Sequence, residues 1–181
     1  LIFWQYDQGY FDVDPTVVTG ILVYDDELGN RTYQLALAED LYYTDGTKIT
    51  AKDYAFSILL SVAEEVKALD GNTDNYGAVL GMDAYKKGEA NTIAGVRVMN
   101  DHMLAITVDA ANLPFFYELG LLRCLPLPIH VIAPGCEVKD DGQGVYLDKT
   151  AGTFTADALR QSILDPETGY LYRPAVTSGP Y

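Results

Sequence analysis

Few residues in this chain of 181 could carry catalysis or bind a metal. The sequence contains two histidines and two cysteines: His102, His130, Cys124 and Cys136. They are spread along the chain without the short spacing that zinc ligands show. There is no Gly-x-Ser-x-Gly nucleophile elbow and no phosphate loop ending in Gly-Lys-Ser/Thr. The sequence therefore favours a protein that is not an enzyme and that has neither a metal nor a cofactor of its own.

Paired acids are the remaining candidates for acid–base chemistry. Asp25-Asp26 and Asp140-Asp141 each fall in a predicted turn, where carboxylates are normally solvated. A glycosidase-type site needs two carboxylates that converge about 5–10 Å apart in a pocket, which turn pairs do not promise. A hydrolase is accordingly the least favoured function. We expect His102 to be solvated in a hairpin turn, and His130 to be partly buried and hydrogen-bonded.

The two cysteines leave two structures open. A disulfide between Cys124 and Cys136 would suit an exported protein. The alternative is a pair of small, buried apolar residues without a bond. The sequence alone does not decide between them.

Composition excludes several classes of partner. The net charge is −14, from 26 acidic and 12 basic residues, and no Lys/Arg cluster exists for binding a nucleic-acid backbone. No apolar run approaches the ~20 residues that a membrane span needs. With 49% hydrophobic and 21% charged residues, the composition is that of an ordinary globular domain, so we expect residues 1–181 to form a single domain.

The segment from Thr32 to Ser57, TYQLALAEDLYYTDGTKITAKDYAFS, predicts three elements in succession. Apolar residues alternate from Tyr33 to Leu37, which is typical of a strand with one buried face. Asp45-Gly46 is a turn pair, since glycine accepts a positive φ. Thr50, three residues before Asp53, predicts a capping box at the start of a helix.

The same helix is expected to run from Ala51 to about Leu69, with Gly71 as a left-handed cap after its end. The remaining pattern predicts hairpins, short helices and an extended segment. The strands are expected at 17–24, with Gly20 as a bulge or a close-packing point, and from Arg31, followed by a second hairpin of 93–99 and 102–108. Helices are expected at 115–121, at 155–164 and, as a short element, within 77–87. A surface turn is expected at 140–144 and an extended path at 125–128. The predicted fold class is mixed α/β, with a small mixed or antiparallel sheet covered by helices.

Three segments resemble the extracellular solute-binding proteins of family 5, the receptors of peptide and nickel importers of the ABC type. The first is the block just described, where Lys48 replaces a usual proline and Ala38 a common arginine. The second is the hairpin AGVRVMNDHMLAITV at 94–108. The third is TSGPY at 177–181, which is similar to the Gly-Thr-Gly-Pro-Tyr motif of the family. The matching residues of the first block are Tyr33, Leu35, Leu37, Tyr43, Thr44, Asp45, Gly46, Ile49, Thr50, Ala51, Asp53, Phe56 and Ser57.

The resemblance implies a part of the amino-terminal lobe of a two-lobed receptor with a type II periplasmic-binding-protein fold. The chain opens without methionine and stops at a motif that continues onward in the family, so we expect a piece of a longer protein. Such a receptor captures an extracellular solute, which we expect to be an oligopeptide, and delivers it to membrane permease subunits. It would be extracellular, as a cell-surface lipoprotein or in the periplasm.

Tyrosine is the residue type that best suits such recognition, because it combines a flat apolar face with a hydrogen-bonding tip. Of the 14 tyrosines, we single out Tyr76 as a candidate ligand contact, because the resemblance places its loop, NTDNYG, near the ligand cleft. The alternative for Tyr76 is a surface or packing role. The alternative function is a secreted carbohydrate-binding or adhesion module. That function would show a cluster of exposed aromatic residues on one sheet face rather than at an edge.

Overall fold

The computed structural model describes residues 1–179, in which three antiparallel sheets are joined by short helices. The strands are β1 (Ile2–Gln5), β2 (Tyr10–Val13), β3 (Val18–Asp25), β4 (Arg31–Leu37), β5 (Val96–Asn100), β6 (Met103–Val108), β7 (Glu137–Asp140) and β8 (Val145–Asp148). The α-helices are α1 (Ala51–Ser61), α2 (Glu64–Lys67), α3 (Met82–Lys86), α4 (Ile129–Ile132) and α5 (Ala156–Leu159). The predicted mixed α/β class is confirmed.

The main sheet has the strand order β3-β4-β6-β5, and every neighbouring pair is antiparallel. Tyr33 and Leu35 of β4 lie opposite Ile106 and Leu104 of β6, and all four side chains are buried on one face. Both predicted hairpins are therefore present. The register shifts between Val18 and Gly20, which confirms the predicted bulge.

Helix α1 covers the buried face of this sheet. Its start is the predicted capping box, in which Asp53 accepts hydrogen bonds at Oδ2 from the backbone N–H of Thr50 (2.8 Å) and from its hydroxyl (3.0 Å). Two of its own side chains, Phe56 and Ile58, are fully buried. The turn before it also forms as predicted, with Gly46 at φ 85° and its N–H bonded to the Tyr43 carbonyl at 2.9 Å.

The predicted extent of this helix was wrong. α1 ends at Ser61, Ala63 is extended (φ −71°, ψ 138°), and α2 begins only at Glu64. Val62 and Val66 both pack against the core despite the break, so their helical spacing could not reveal it.

Gly71 is not the left-handed residue either, because Asp70 takes that conformation with φ 61°. What requires glycine at position 71 is a close approach: a Cβ there would lie 2.5 Å from Cγ1 of Val66.

The helix predicted at 115–121 is also wrong. Only a 3₁₀ turn forms, at Glu118–Leu122. Phe115, Phe116 and Tyr117 are exposed and do not form one apolar helical face; the ring of Tyr117 contacts those of Phe115, Phe116 and Trp4. The predicted helix at 155–164 is present as α5 followed by a π-helical turn at Arg160–Leu164.

Two hairpins were not predicted, β1–β2 and β7–β8. The predicted turn at 140–144 connects β7 to β8. Asp140 ties this hairpin to β5, accepting from Nε of Arg97 at 2.8 Å and from the backbone N–H of Val98 at 2.9 Å. In the predicted second hairpin, residue 93 is not in β5; Ile93 forms a single bridge to Val145 of β8.

The cysteines are buried thiols without a disulfide, the second of the two structures considered above. Cys124 and Cys136 are both free thiols and both buried. Among residues 1–179, no helix is long and apolar enough to cross a membrane.

The capping carboxylate yields a test. Burial raises the pKa of Asp53 above its ordinary 3.8, against hydrogen bonds from Thr50 that lower it. The folded state therefore binds this proton more tightly than the unfolded state, and the resulting stability is present at low pH and lost as pH rises through the folded pKa. Relative to Asp53→Asn, which does not titrate, the wild type should gain free energy of unfolding between about pH 7 and about pH 4.

Urea unfolding at both pH values measures this difference. Asp53→Ala, which removes the cap acceptor altogether, should cost about 1 kcal/mol at neutral pH. A wild-type advantage over Asp53→Asn that shrinks on acidification would show that the Thr50 hydrogen bonds outweigh burial.

Candidate ligand-binding site

The loop that carries Tyr76 is fixed to the end of the main sheet. The Ala78 carbonyl accepts from Asp109 N–H at 2.9 Å, and Leu80 N–H donates to the Thr107 carbonyl at 2.9 Å. Val79 forms a bridge with Val108, the last residue of β6. Backbone hydrogen bonds to the sheet therefore fix the position of this loop. A binding site needs such a fixed base to present its side chains accurately.

Tyr76 has an unusual backbone conformation and a hydrogen-bonded hydroxyl. Its backbone is left-handed, with φ 56°, which is uncommon for a residue with a Cβ. Its hydroxyl donates to the Arg123 carbonyl at 2.9 Å. Burial raises the pKa of the phenol well above its ordinary value of 10.0, so the hydroxyl stays protonated as a donor.

A cleft of about 610 Å³ opens beside this tyrosine. Its lining includes two residues of opposite charge, Asp74 and Arg123, and the apolar residues Val79 and Leu121. The full lining is Ser61, Asp74, Asn75, Tyr76, Gly77, Ala78, Val79, Gly120, Leu121 and Arg123. Opposite charges flanking a partly apolar trough can bind a zwitterionic or polar organic molecule and offer no nucleophile–base pair.

A second groove, of about 620 Å³, lies between β3 and the β1–β2 hairpin. Trp4, Phe11 and Tyr117 pack edge to face at its margin, with ring centroids 4.9–6.1 Å apart. Its polar floor is Arg31, whose Nε lies 2.7 Å from Asp25 and whose Nη1 lies 3.0 Å from Glu118. Hydrogen bonds from Arg31 to Asp25 and Glu118 raise its pKa.

These aromatic residues lie beside an edge strand, on a hairpin and a loop. They do not form an exposed array across a sheet face, which is the arrangement expected of a carbohydrate-binding or adhesion module.

The other candidates for chemistry have structural partners. Asp26 accepts from the backbone N–H groups of Leu28 and Asn30, both at 2.9 Å, and so closes the β3–β4 turn. Asp141 does the same for Gln143 at 2.8 Å. Asp26 and Asp141 are exposed, as expected of turn carboxylates, and each also stabilises its own turn. Within the described part of the chain, no group of three or more His, Cys, Asp or Glu residues could hold a metal ion.

Both histidines differ in burial from their predictions. His130 is hydrogen-bonded as expected, to Asp45 at 2.8 Å, but lies at the surface. His102 is only partly exposed, and its Nδ1 atom is buried without a hydrogen-bond partner among residues 1–179. It lines a groove of about 820 Å³ formed with the 36–39 segment.

Sequence reasoning singled out Tyr76 and missed the residues that face it. Leu121 and Arg123 lie more than forty positions further along the chain, at and just beyond the end of the segment wrongly predicted as a helix, and Ser61 is the last residue of α1. No local pattern marks them. Only the fold brings them to Tyr76.

The hydroxyl of Tyr76 provides a test of how this cleft is held together. Tyr76→Phe removes the bond to the Arg123 carbonyl and should lower the free energy of unfolding by about 1 kcal/mol. Amide exchange at 121–124 should also become faster. The control is Tyr42→Phe, at an exposed tyrosine, which should change stability by less than about 0.5 kcal/mol. Equal effects of the two substitutions would contradict this role.

Known proteins resemble this chain in sequence and in fold. No family model matches the chain. It is 28% identical over 109 residues to the periplasmic oligopeptide-binding protein OppA of Escherichia coli K12, covering 60% of this chain and 20% of that protein. It is 38% identical over 66 residues to OppA of Lactococcus lactis subsp. lactis, covering 36% of this chain and 11% of that protein. The chain thus spans about a fifth or less of the curated relatives it matches.

Solved structures show the same fold. OppAIV of Borrelia burgdorferi aligns with a TM-score of 0.53 at 20% identity, over 81% of this chain and 32% of that one. A lactococcal OppA aligns with a TM-score of 0.56 at 17% identity, over 99% of this chain and 28% of that one.

Two of the motifs behind the resemblance also meet in space. Thr44 N–H donates to the Thr177 carbonyl at 2.9 Å, and Thr177 N–H donates to the Thr44 hydroxyl at 3.0 Å. Residues 180 and 181 of the TSGPY motif lie outside the described residues. In sequence, the chain is similar to a part of these oligopeptide-binding proteins, and in fold it is similar to a part of the solved OppA structures.

Proposed function

We propose that this chain is a segment of the substrate-binding component of an ABC importer, which captures an extracellular oligopeptide and delivers it to membrane permease subunits. The observation that carries this is its similarity to oligopeptide-binding proteins in both sequence and fold. The joined motifs at Thr44 and Thr177 support it, because they lie far apart in sequence and contact each other in the structure.

In this proposal residues 1–181 are one domain within the amino-terminal lobe, and a second lobe closes over the ligand by a hinge motion. The protein works outside the cell, in the periplasm or as a surface lipoprotein, and it neither catalyses a reaction nor uses a cofactor. Tyr76 contacts the peptide: its loop is fixed to β6, its ring borders the cleft, and opposite charges from Asp74 and Arg123 flank it.

The isolated chain is expected to bind peptides feebly or not at all. A ligand site removes most of the ligand surface from water, and one wall of a two-walled cleft cannot do so. Isothermal titration of the chain with mixed di- to hexapeptides should show no binding tighter than about 1 μM. Submicromolar binding would place the complete site within this chain and contradict the two-lobed proposal.

The role of Tyr76 is tested in the intact receptor that contains this segment. Tyr76→Ala should weaken peptide binding by about tenfold, because a partly buried aromatic contact is lost from the cleft. Tyr42→Ala, at an exposed tyrosine away from the cleft, is the matched control and should leave the affinity unchanged. An unchanged affinity in Tyr76→Ala would remove this residue from the site while leaving the receptor proposal intact.

A further inference from the structure

Arg123 extends its side chain from a fixed position beside Tyr76. Its two neighbours, Leu122 and Cys124, are 0% and 3% exposed, whereas Arg123 between them is exposed. The Arg123 backbone is extended, and its carbonyl accepts the hydrogen bond from the Tyr76 hydroxyl at 2.9 Å. The buried neighbours and this hydrogen bond therefore hold the backbone in place, while the charged side chain faces outward.

The positive charge of Arg123 acts on the Tyr76 cleft. Arg123 is one of the residues that line this cleft. Its charge also lowers the pKa of the Tyr76 phenol, against the larger effect of burial, which raises it. Charges at a protein surface act over roughly 10 Å in salt solution. The guanidinium therefore lies near the Tyr76 hydroxyl.

The two charged residues of the cleft do not neutralise each other. In the portion of the chain that the structure describes, neither Asp74 nor Arg123 forms an ion pair. Their hydrogen bonds there come from the backbone: Asp74 N–H donates to Oδ1 of Asn72 at 2.9 Å, and Arg123 N–H donates to the Gly120 carbonyl at 3.3 Å. The chain has 26 acidic and 12 basic residues, yet the N–H donors of this guanidinium remain available to a ligand.

We infer that Arg123 binds a carboxylate of the peptide, so that the receptor prefers a peptide with a carboxylate at this point to one without it. A guanidinium can bind a carboxylate through two parallel N–H···O bonds, which are stronger than hydrogen bonds between neutral groups. The fixed backbone of Arg123 reduces the conformational freedom that is lost on binding. The inference rests on the proposed function, because it requires the peptide to lie in the cleft at Tyr76.

The carboxylate has two possible sources, the C-terminus of the peptide and the side chain of an aspartate or glutamate. Both present the same group to the guanidinium. The net charge of this segment, −14, repels an anionic group in either position. A preference for peptides with a carboxylate therefore has to come from a local cation and not from the overall field of the segment.

Isothermal titration of the intact receptor that contains this segment measures the preference. Three mixtures of di- to hexapeptides serve as probes: free acids without acidic side chains, C-terminal amides without acidic side chains, and C-terminal amides with one glutamate each. The amides without glutamate should bind about tenfold more weakly than the carboxylate source that the site uses, because a charge-assisted pair is lost. Tight binding of the first mixture identifies the C-terminus, and tight binding of the third identifies the side chain.

Substitutions at Arg123 locate the preference. Arg123→Gln should abolish the tenfold difference, and Arg123→Lys should retain part of it, because lysine keeps the charge without the paired donors. Arg173→Gln is the matched control, since Arg173 is exposed, does not line the cleft and carries the same charge. It should retain the full difference. The thermal midpoint of Arg123→Gln should match that of the wild type, because Tyr76 bonds to the main-chain carbonyl of residue 123.

The possible failures are distinguishable. Equal affinity of the wild type for all three mixtures, or a preference that survives in Arg123→Gln, would overturn the inference and leave the peptide receptor in place. Equal losses in Arg123→Gln and Arg173→Gln would do the same, because they would show a general effect of charge. A receptor that binds none of the mixtures would overturn the proposed function and the inference together. A carboxylate preference that Arg123→Gln abolishes and Arg173→Gln retains would establish the inference.

Discussion

The constraint on which this structure depends is that one helix of 11 residues must cover the buried face of a four-stranded sheet. A helix is about 10 Å wide, and four strands span about 14 Å between their outer axes. α1 packs against β5 and β6 and against the β7–β8 hairpin. The rest of the buried face lies beside the β1–β2 hairpin and the segment around Glu118. The outer part of β3 remains uncovered. Both the aromatic groove and the exposed edge follow from this incomplete cover.

The same arrangement explains where the candidate cleft lies. The Tyr76 loop leaves the sheet at the end of β6, where Val79 bridges to Val108, and the segment ending at Arg123 returns across it. The cleft is therefore formed by connections that the sheet positions, not by the sheet face itself. Such a site has a rigid base and one open side, which is suited to a ligand that a second body covers.

The parts of the fold that were predictable from sequence are those that local chemistry determines. The alternation of Tyr33, Leu35 and Leu37, the Asp45-Gly46 turn and the Thr50–Asp53 cap all formed as expected, because each depends on residues within a few positions of one another. The end of α1 was not predictable, because Val66 in α2 contacts the core just as it would in one continuous helix. The run Phe115–Tyr117 was misjudged because Tyr117 packs against Trp4 and Phe11, more than a hundred positions away, which no local pattern indicates. Tyr76 was singled out only through resemblance, and no local pattern indicates Arg123, whose carbonyl accepts from the Tyr76 hydroxyl.

The burial of Cys124 has a practical consequence. This thiol follows Arg123 directly, is almost fully inaccessible, and burial raises its pKa to about 12. Only the thiolate reacts readily with alkylating reagents, so modification must wait until the segment lifts away from the body of the protein. The rate at which Cys124 is alkylated therefore reports how often the segment around Arg123 opens. No additional cysteine has to be introduced as a probe.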